Sequence, residues 1–335
     1  MTPLAIVGGG SWGTALAVVL GQGGRPVRLW VREEEIRAAL LERRENPVFL
    51  PGLRLPPGVE PTGSLEWALR GAQAVIMATP SPYFRAVLGN LASSLAAETP
   101  LISAAKGLEE VSLMRMSEVA AEVLRPQFGG RAIPFAVLSG PTFAREVARG
   151  DPTAVVIASA DDALARRLQR EFSGPSLRLY RSDDVVGVEL AAAIKNVIAI
   201  AAGICVGLGL GSNSLAALIA RGLAEISRLV RACGGKAETV AGLAGLGDLV
   251  LTCNGQLSRN RSVGVELGKG RKLKEILAEM TMVAEGVYTT TAACRLAERH
   301  GIEMPITEQM RRVLFEDLPP REAVRALMER SLKPE

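Results

Sequence analysis

The sequence holds one histidine, four cysteines and few rings: Phe, Trp and Tyr make up 4% of its 335 residues. Cys205, Cys233, Cys253 and Cys294 lie far apart, with no CxxC pair and no histidine beside them. Neither a zinc site nor a disulfide framework is indicated, so four buried, reduced thiols and no metal are expected. The scarcity of aromatics leaves few platforms on which bases could stack. Blocks of like charge are missing too. Lys and Arg number 39 against 35 Asp and Glu, and no basic run exceeds a pair such as Arg43-Arg44 or Arg311-Arg312. Nothing in this even mixture asks for nucleic acid. The chain enters Leu4-Ala5-Ile6-Val7 almost at once, without the basic, apolar and small-residue regions of a secretory leader, and a cytoplasmic location is expected. The longest apolar stretch, Val197–Gly211, contains four glycines and falls short of the roughly 18 to 20 residues that span a bilayer. What the sequence does have is apolar content, 48%, and enough length for about two folded domains.

The first half alternates apolar runs with helical periodicity, the pattern of a parallel sheet covered by helices on both faces. Strands are predicted at Leu4–Val7, Val27–Val31, Ala74–Ala78, Leu101–Ala104, Phe135–Leu138, Ala154–Ala158 and Leu177–Tyr180. Between the first two, Trp12, Leu16, Val19 and Leu20 recur at near-helical spacing, and Gly23-Gly24 stops the helix. The stretch Asn46–Gly63 reads as loop, because its prolines interrupt any ladder or helix. The character changes at Ser182-Asp183-Asp184, which offers capping side chains to a long helix from about Val185. From there to Arg330 the periodicity is helical, with no strand pattern and no repeat of fixed period.

Gly8-Gly9-Gly10-Ser11-Trp12-Gly13 follows a predicted strand and opens a predicted helix. In that setting a G-x-G-x-x-G pattern is a dinucleotide-binding fingerprint: Gly8 for the tight turn, Gly10 for close approach of a pyrophosphate, Gly13 for helix–strand packing. The helix start then aims free N–H groups at the phosphates. The expected architecture is α/β, with a Rossmann-like doubly wound dinucleotide-binding domain over residues 1–184 and an all-helical substrate-binding domain over 185–335. The second strand ends Trp30-Val31-Arg32, and the acids Glu33, Glu34 and Glu35 come only afterwards. Arginine at that point favours NADP over NAD. The competing reading is a surface arginine paired with those glutamates.

Carbonyl reduction needs a proton donor, and histidine is the usual one. The single histidine, His300, precedes Gly301 at the end of a helical stretch, where it suits a surface or helix-dipole role. Lys195 is the better candidate, because it sits in the apolar segment Ala191-Ala192-Ala193-Ile194-Lys195-Asn196-Val197-Ile198. Desolvation there would disfavour the charged ammonium and tune it for proton transfer; snorkelling to the surface is the alternative. A second cluster runs through the glycine-rich segment Ala241–Asp248 to Ser258-Arg259-Asn260-Arg261. An arginine fork flanked by neutral donors suits a phosphate, although Ser-Arg-Asn is also an ordinary helix start.

Taken together, these segments resemble the bacterial-type NAD(P)-dependent glycerol-3-phosphate dehydrogenases. The likeness runs from Leu4 to about Arg330. It rests on the fingerprint continued through Ala17, Ser103-Ala104-Ala105-Lys106-Gly107, Ser139-Gly140-Pro141-Thr142-Phe143-Ala144, Glu189–Ala201, Ala241–Asp248, Leu257–Arg261 and Val283-Ala284-Glu285-Gly286. The resemblance implies reversible reduction of dihydroxyacetone phosphate to sn-glycerol 3-phosphate, feeding glycerophospholipid synthesis, with NADP or NAD as cofactor. It implies Lys195 as proton acceptor in the oxidative direction, with Asp248 and Lys106 as further catalytic groups. Lys106, Gly140, Thr142, Lys195, Asp248, Ser258, Arg259 and Asn260 would line the substrate. Gly8, Gly10, Ser11, Trp12, Gly13, Arg32, Lys106, Ala144, Arg259, Val283 and Glu285 would hold the cofactor. The implied partner is a triose phosphate, without nucleic acid or membrane insertion, and a homodimer is left open. Cys205-Val206-Gly207 and Gly211-Ser212-Asn213 stand where an acidic residue is commoner in that family, and Asn254-Gly255 replaces a hydroxyl-bearing pair. These departures touch loop geometry and no proposed catalytic group. Two other readings stay open: a dehydrogenase for a hydroxy acid or nucleotide sugar, and a non-catalytic redox sensor. A nucleotide-sugar oxidation to the acid needs a nucleophilic cysteine, for which Cys253 is poorly placed. A sensor has no need of Lys195, Asp248 and Arg259 together.

Overall fold

The computed structural model describes residues Thr2–Leu332. The chain forms two compact units, one holding the residues up to Lys106 and Met114–Glu189, the other Gly107–Leu113 and the residues from Leu190 onward. The 184/185 boundary expected from sequence therefore lies inside the first unit, and a short internal segment belongs to the second.

The first unit is built on a sheet with helices on both faces. Its strands are β1 (Leu4–Val7), β2 (Val27–Trp30), β5 (Val59–Thr62), β6 (Ala74–Met77), β7 (Leu101–Ser103), β8 (Phe135–Ser139), β9 (Thr153–Ala158) and β10 (Leu177–Ser182), while β3 (Glu45–Asn46) and β4 (Leu50–Arg54) form a separate antiparallel pair. The order is β10-β9-β8-β7-β6-β1-β2-β5. From β5 to β8 every pairing is parallel. In chain order those six strands run 3-2-1-4-5-6, the doubly wound dinucleotide arrangement. Successive residues of β1 feed opposite faces: Leu4 and Ile6 join the core under the helices Ser11–Leu20 and Asp162–Phe172, and Ala5 and Val7 join the core under Ser81–Leu91 and Met116–Leu124.

Two features depart from expectation. The sheet is not wholly parallel, because β9 runs antiparallel to β8 before β10 returns parallel to β9. The stretch 46–63 is not all loop either. β5 pairs with β2 from Val27↔Val59 to Trp30↔Thr62, and its Pro61 is tolerated because β5 is the edge strand and one side of its ladder is unclaimed.

The second unit is helical among its described residues. Its longest helix, Val185–Gly207, begins in the first unit, where the Asp184 carboxylate accepts the Gly187 N–H at 2.8 Å. This helix corrects the reading of apolar length: it has 23 residues and an 18-residue window of mean hydropathy 2.0, enough by length and composition to cross a membrane. That window is 89% buried inside the protein, the condition of a core helix. It packs backbone to backbone against the helix Arg259–Gly268. A Cβ on Gly203 would lie 2.0 Å from the Arg261 carbonyl oxygen, and one on Gly264 2.0 Å from that of Ile200. Gly207 and Gly268, one turn further on, meet in the same way, so two small-xxx-small faces bring these helices together.

A buried acid pins another pair of helices. Glu225, in the helix Ser212–Ala232, accepts the Ile306 and Thr307 N–H groups and the Thr307 hydroxyl at the start of the helix Pro305–Phe315. Burial pushes its carboxyl above the ordinary range, against the pull of those hydrogen bonds and of Arg228. A carboxyl raised on folding stabilises the fold fully below its unfolded value of about 4.3, and the contribution is lost as pH rises through the raised folded value. Glu225→Gln should therefore gain in thermal midpoint relative to the parent as pH is raised from 4 to 8. Melting curves across that range check this, and a constant or shrinking difference would contradict it.

Candidate active site

The fingerprint lies between the end of β1 and the helix Ser11–Leu20, beside the point where the strand order reverses, which is where doubly wound sheets bind ligands. Gly8 has φ +127°, and a Cβ there would approach the Ala78 carbonyl oxygen at 2.9 Å. Gly13 packs on the Gly8 carbonyl. Gly10 has neither constraint: its φ is −71° and a Cβ would meet no protein atom within 4 Å. The space over Gly10 is open, and the first turn of the helix begins beside it with Ser11 and Trp12. These residues fit a pyrophosphate. The loop is held from behind by Asn46, fully buried, whose Nδ2 donates to the Gly9 carbonyl at 2.8 Å and to Thr14 Oγ1 at 2.9 Å. Beyond β2, the Arg32 guanidinium donates through Nε and Nη2 to Glu33 Oε1 at 3.0 and 2.7 Å. The surface ion pair weighed from sequence is therefore formed.

A second group lies at the carboxyl ends of β7 and β8. Lys106 Nζ donates to the Gly140 carbonyl at 2.8 Å and to Thr142 Oγ1 at 3.1 Å. Gly140 has φ +141°, and a Cβ there would press on the Val155 backbone at 3.0 Å. Ala144 opens the short helix Ala144–Arg149 that follows. Three residues separated by up to 36 positions thus share one polar cluster.

In the second unit Lys195 does not snorkel. Its side chain is 6% exposed, and Nζ donates to Asp248 Oδ1 and to Thr252 Oγ1, both at 2.8 Å. The glycine-rich segment before Asp248 is not an open loop but a π-helical turn, Leu243–Gly247, closed by Gly247 N–H donating to the Gly242 carbonyl at 3.1 Å. It leads directly into the helix Asp248–Asn254, which puts Asp248 and Thr252 one turn apart on one face. Ser258 caps the helix Arg259–Gly268 by accepting the Arg261 N–H, so Ser-Arg-Asn is a helix start. Arg259 Nη1 donates to the Val283 carbonyl at 2.8 Å. Asn260 Nδ2 donates to Asn196 Oδ1, and Asn260 Oδ1 accepts the Gly286 N–H, each at 2.9 Å. Glu285 is the first residue of the helix Glu285–Arg299. Lys195 with Asp248, Asn196 with Asn260, and Arg259 with Val283 thereby form three hydrogen-bonded groups, joined by the chain at Lys195-Asn196 and Arg259-Asn260.

The family model for the NAD-dependent glycerol-3-phosphate dehydrogenase N-terminus matches residues 3–165, and that for the C-terminus matches residues 184–325. The chain belongs to the NAD-dependent glycerol-3-phosphate dehydrogenase family. It is similar to the glycerol-3-phosphate dehydrogenase [NAD(P)+] of Koribacter versatilis, 56% identical over 98% of both chains, and to that of Geobacter sulfurreducens, 53% identical over 99% of this chain and 98% of the other. A crystal structure of the glycerol-3-phosphate dehydrogenase from Coxiella burnetii superposes with a TM-score of 0.93 at 43% identity, over 98% of this chain and 99% of that one.

Within this dehydrogenase fold, three polar residues went unassigned by sequence reasoning. Thr252 stands at i+4 from Asp248, a spacing that places both on one helix face. Asn196 adjoins Lys195 in an otherwise apolar run. Asn46 lies in the segment read as loop, where nothing local signals that it reaches back to the fingerprint. Beside Thr252, burial pushes the Cys253 thiol up to about 12, against the opposing charges of Lys195 and Arg261. At pH 8 its thiolate fraction should be over a thousandfold below that of an ordinary cysteine of pKa about 8.5. Iodoacetamide at that pH should leave Cys253 unmodified in the native protein and alkylate it in denaturant, as read by peptide mass mapping. Native labelling of Cys253 as fast as that of the half-buried Cys233 would revive a nucleophilic role.

Proposed function

We propose that this oxidoreductase catalyses the reversible NAD(P)H-dependent reduction of dihydroxyacetone phosphate to sn-glycerol 3-phosphate, supplying glycerophospholipid synthesis in the cytoplasm. The observation that carries the reading is the buried Lys195–Asp248–Thr252 triad, in a member of this family that also holds an arginine fixed at a helix start. In this reading residues 1–184 serve the dinucleotide and residues 185–335 the substrate. Gly8, Gly10, Ser11, Trp12, Gly13, Arg32, Lys106, Ala144, Arg259, Val283 and Glu285 hold the cofactor. Bound there, NAD(P)H supplies the hydride that reduces the carbonyl carbon. The partner is a triose phosphate and not a nucleic acid or a membrane; a homodimer is compatible with the reading.

Lys195 Nζ holds the proton that passes to the substrate oxygen, and takes it back in the oxidative direction. Asp248 and Thr252 orient Nζ, and the carboxylate balances its charge. Lys106, set by the Gly140 carbonyl and Thr142, adds positive charge where oxygen becomes negative. Arg259 anchors one nitrogen on the Val283 carbonyl, which fixes the plane of its fork for the substrate phosphate. Asn260 already spends one N–H on Asn196, so its amide nitrogen offers the phosphate a single remaining proton. The Ser258 hydroxyl caps the helix as an acceptor and keeps its own O–H to donate. Binding the phosphate remotely from the reacting carbon lets that energy lower the barrier.

Oxidation of NAD(P)H, followed at the reduced-nicotinamide absorbance band, should occur with dihydroxyacetone phosphate and be far slower with dihydroxyacetone. Equal rates would overturn the substrate assignment. Lys195→Ala should lower kcat about 10²- to 10⁴-fold, with a thermal melt separating lost chemistry from lost folding; near-parental turnover removes Lys195 from the reaction. Arg259→Ala should raise KM for the phosphorylated substrate about ten- to a hundredfold, the scale of losing a hydrogen bond to a charged group. An unchanged KM would place the phosphate elsewhere.

A further inference from the structure

Arg32 and Glu33 are adjacent in the chain, yet they do not point apart. Both Nε and Nη2 of Arg32 donate to the same Glu33 oxygen, at 3.0 and 2.7 Å, with side chains 66% and 36% exposed. The guanidinium carbon stands 5.9 Å from the centre of the Tyr83 ring, at the start of the helix Ser81–Leu91, so the group is held on two sides. Nε and Nη2 form one of the two edges through which a guanidinium can bind a phosphate in bidentate fashion. A 2′-phosphate approaching Arg32 meets that edge already engaged, with a carboxylate's negative charge beside it. A 2′-hydroxyl meets no such conflict, and an acid near the end of the second strand is the group that accepts a hydrogen bond from it.

We propose that Glu33 is a specificity-determining residue: by competing for one phosphate-binding edge of Arg32 and setting a negative charge beside it, Glu33 holds down the preference for NADP and keeps NAD competitive. This rests on the reading that Arg32 faces the adenosine ribose. Glu33 acts through Arg32 and is a positioning residue. Its side chain does not cap the following helix, Glu34–Glu42, whose first-turn Arg37 N–H is accepted by the Glu33 backbone carbonyl at 3.0 Å. Glu33→Gln therefore removes the charge and leaves the helix start in place.

The test measures binding. Dissociation constants for NADPH and NADH are taken by nicotinamide fluorescence, at low and high salt, for the parent, Glu33→Gln, Arg32→Ala and the double variant. Glu33→Gln should tighten NADPH two- to fivefold relative to NADH, the size of an exposed ion pair, and the gain should shrink with salt. In the Arg32→Ala background the same change should have a smaller effect. If Arg32→Ala weakens NADPH selectively but Glu33→Gln leaves the NADPH/NADH ratio unchanged, the role of Glu33 is overturned and that of Arg32 stands. An equal effect of Glu33→Gln in both backgrounds shows that it acts on the phosphate directly, which also overturns the proposal. If Arg32→Ala weakens both cofactors alike, the reading of Arg32 falls and the proposal with it.

Discussion

Lys195 and Asp248 stand 2.8 Å apart with almost no solvent around them, and either charge left alone there would cost about 3–5 kcal/mol. Much of the second unit serves to make that meeting unavoidable. Lys195 lies in the middle of the longest apolar helix, whose neighbours Ile194, Val197 and Ile198 are fully buried. Asp248 arrives on a π-helical turn in which a Cβ at Gly245 would fall 2.0 Å from the Val240 carbonyl oxygen. The turn is therefore compact enough to bring the carboxylate to the ammonium, and Thr252 follows one helical turn later. An isolated buried lysine and a lysine with this counter-charge are different chemical objects, and the second is held in place by its partners.

The start of the helix Arg259–Gly268 depends on the same framework. Glycines at 203 and 264 allow two helix backbones to touch, and that contact places Asn260 within 2.9 Å of Asn196, next to Lys195. The Gly286 N–H closes on Asn260 from the other side. Hydrogen bonding thus ties the start of Arg259–Gly268 to the lysine helix and to the segment after Val283, and a shift in any of the three would move the arginine relative to Nζ.

Periodicity and glycine placement made much of this legible. Short apolar runs between helical patterns located seven of the eight strands of the main sheet, and the fingerprint pointed to the switch point of its topology. The eighth, β5, was hidden by Pro61, since an edge strand tolerates what an inner strand cannot. The reversal of β9 left no trace either, because a short apolar run reads the same in both directions. In the site, residues that announce themselves by charge in apolar surroundings were found, Lys195 above all. The uncharged ones, Asn46, Asn196 and Thr252, acquire meaning only from partners that the fold supplies, as far as 64 positions away in the case of Asn196.

The helix Val185–Gly207 has a consequence for synthesis. Its tightest packing partner, Arg259–Gly268, leaves the ribosome about fifty residues later, which at roughly 5–20 residues per second is a delay of some seconds. For that interval a span greasy enough to enter a bilayer is outside the ribosome without its cover. Nascent chains of this protein are thus exposed to competing capture by lipid or by one another, and a chaperone or a slower stretch of translation upstream would change the yield of folded enzyme without touching its final stability.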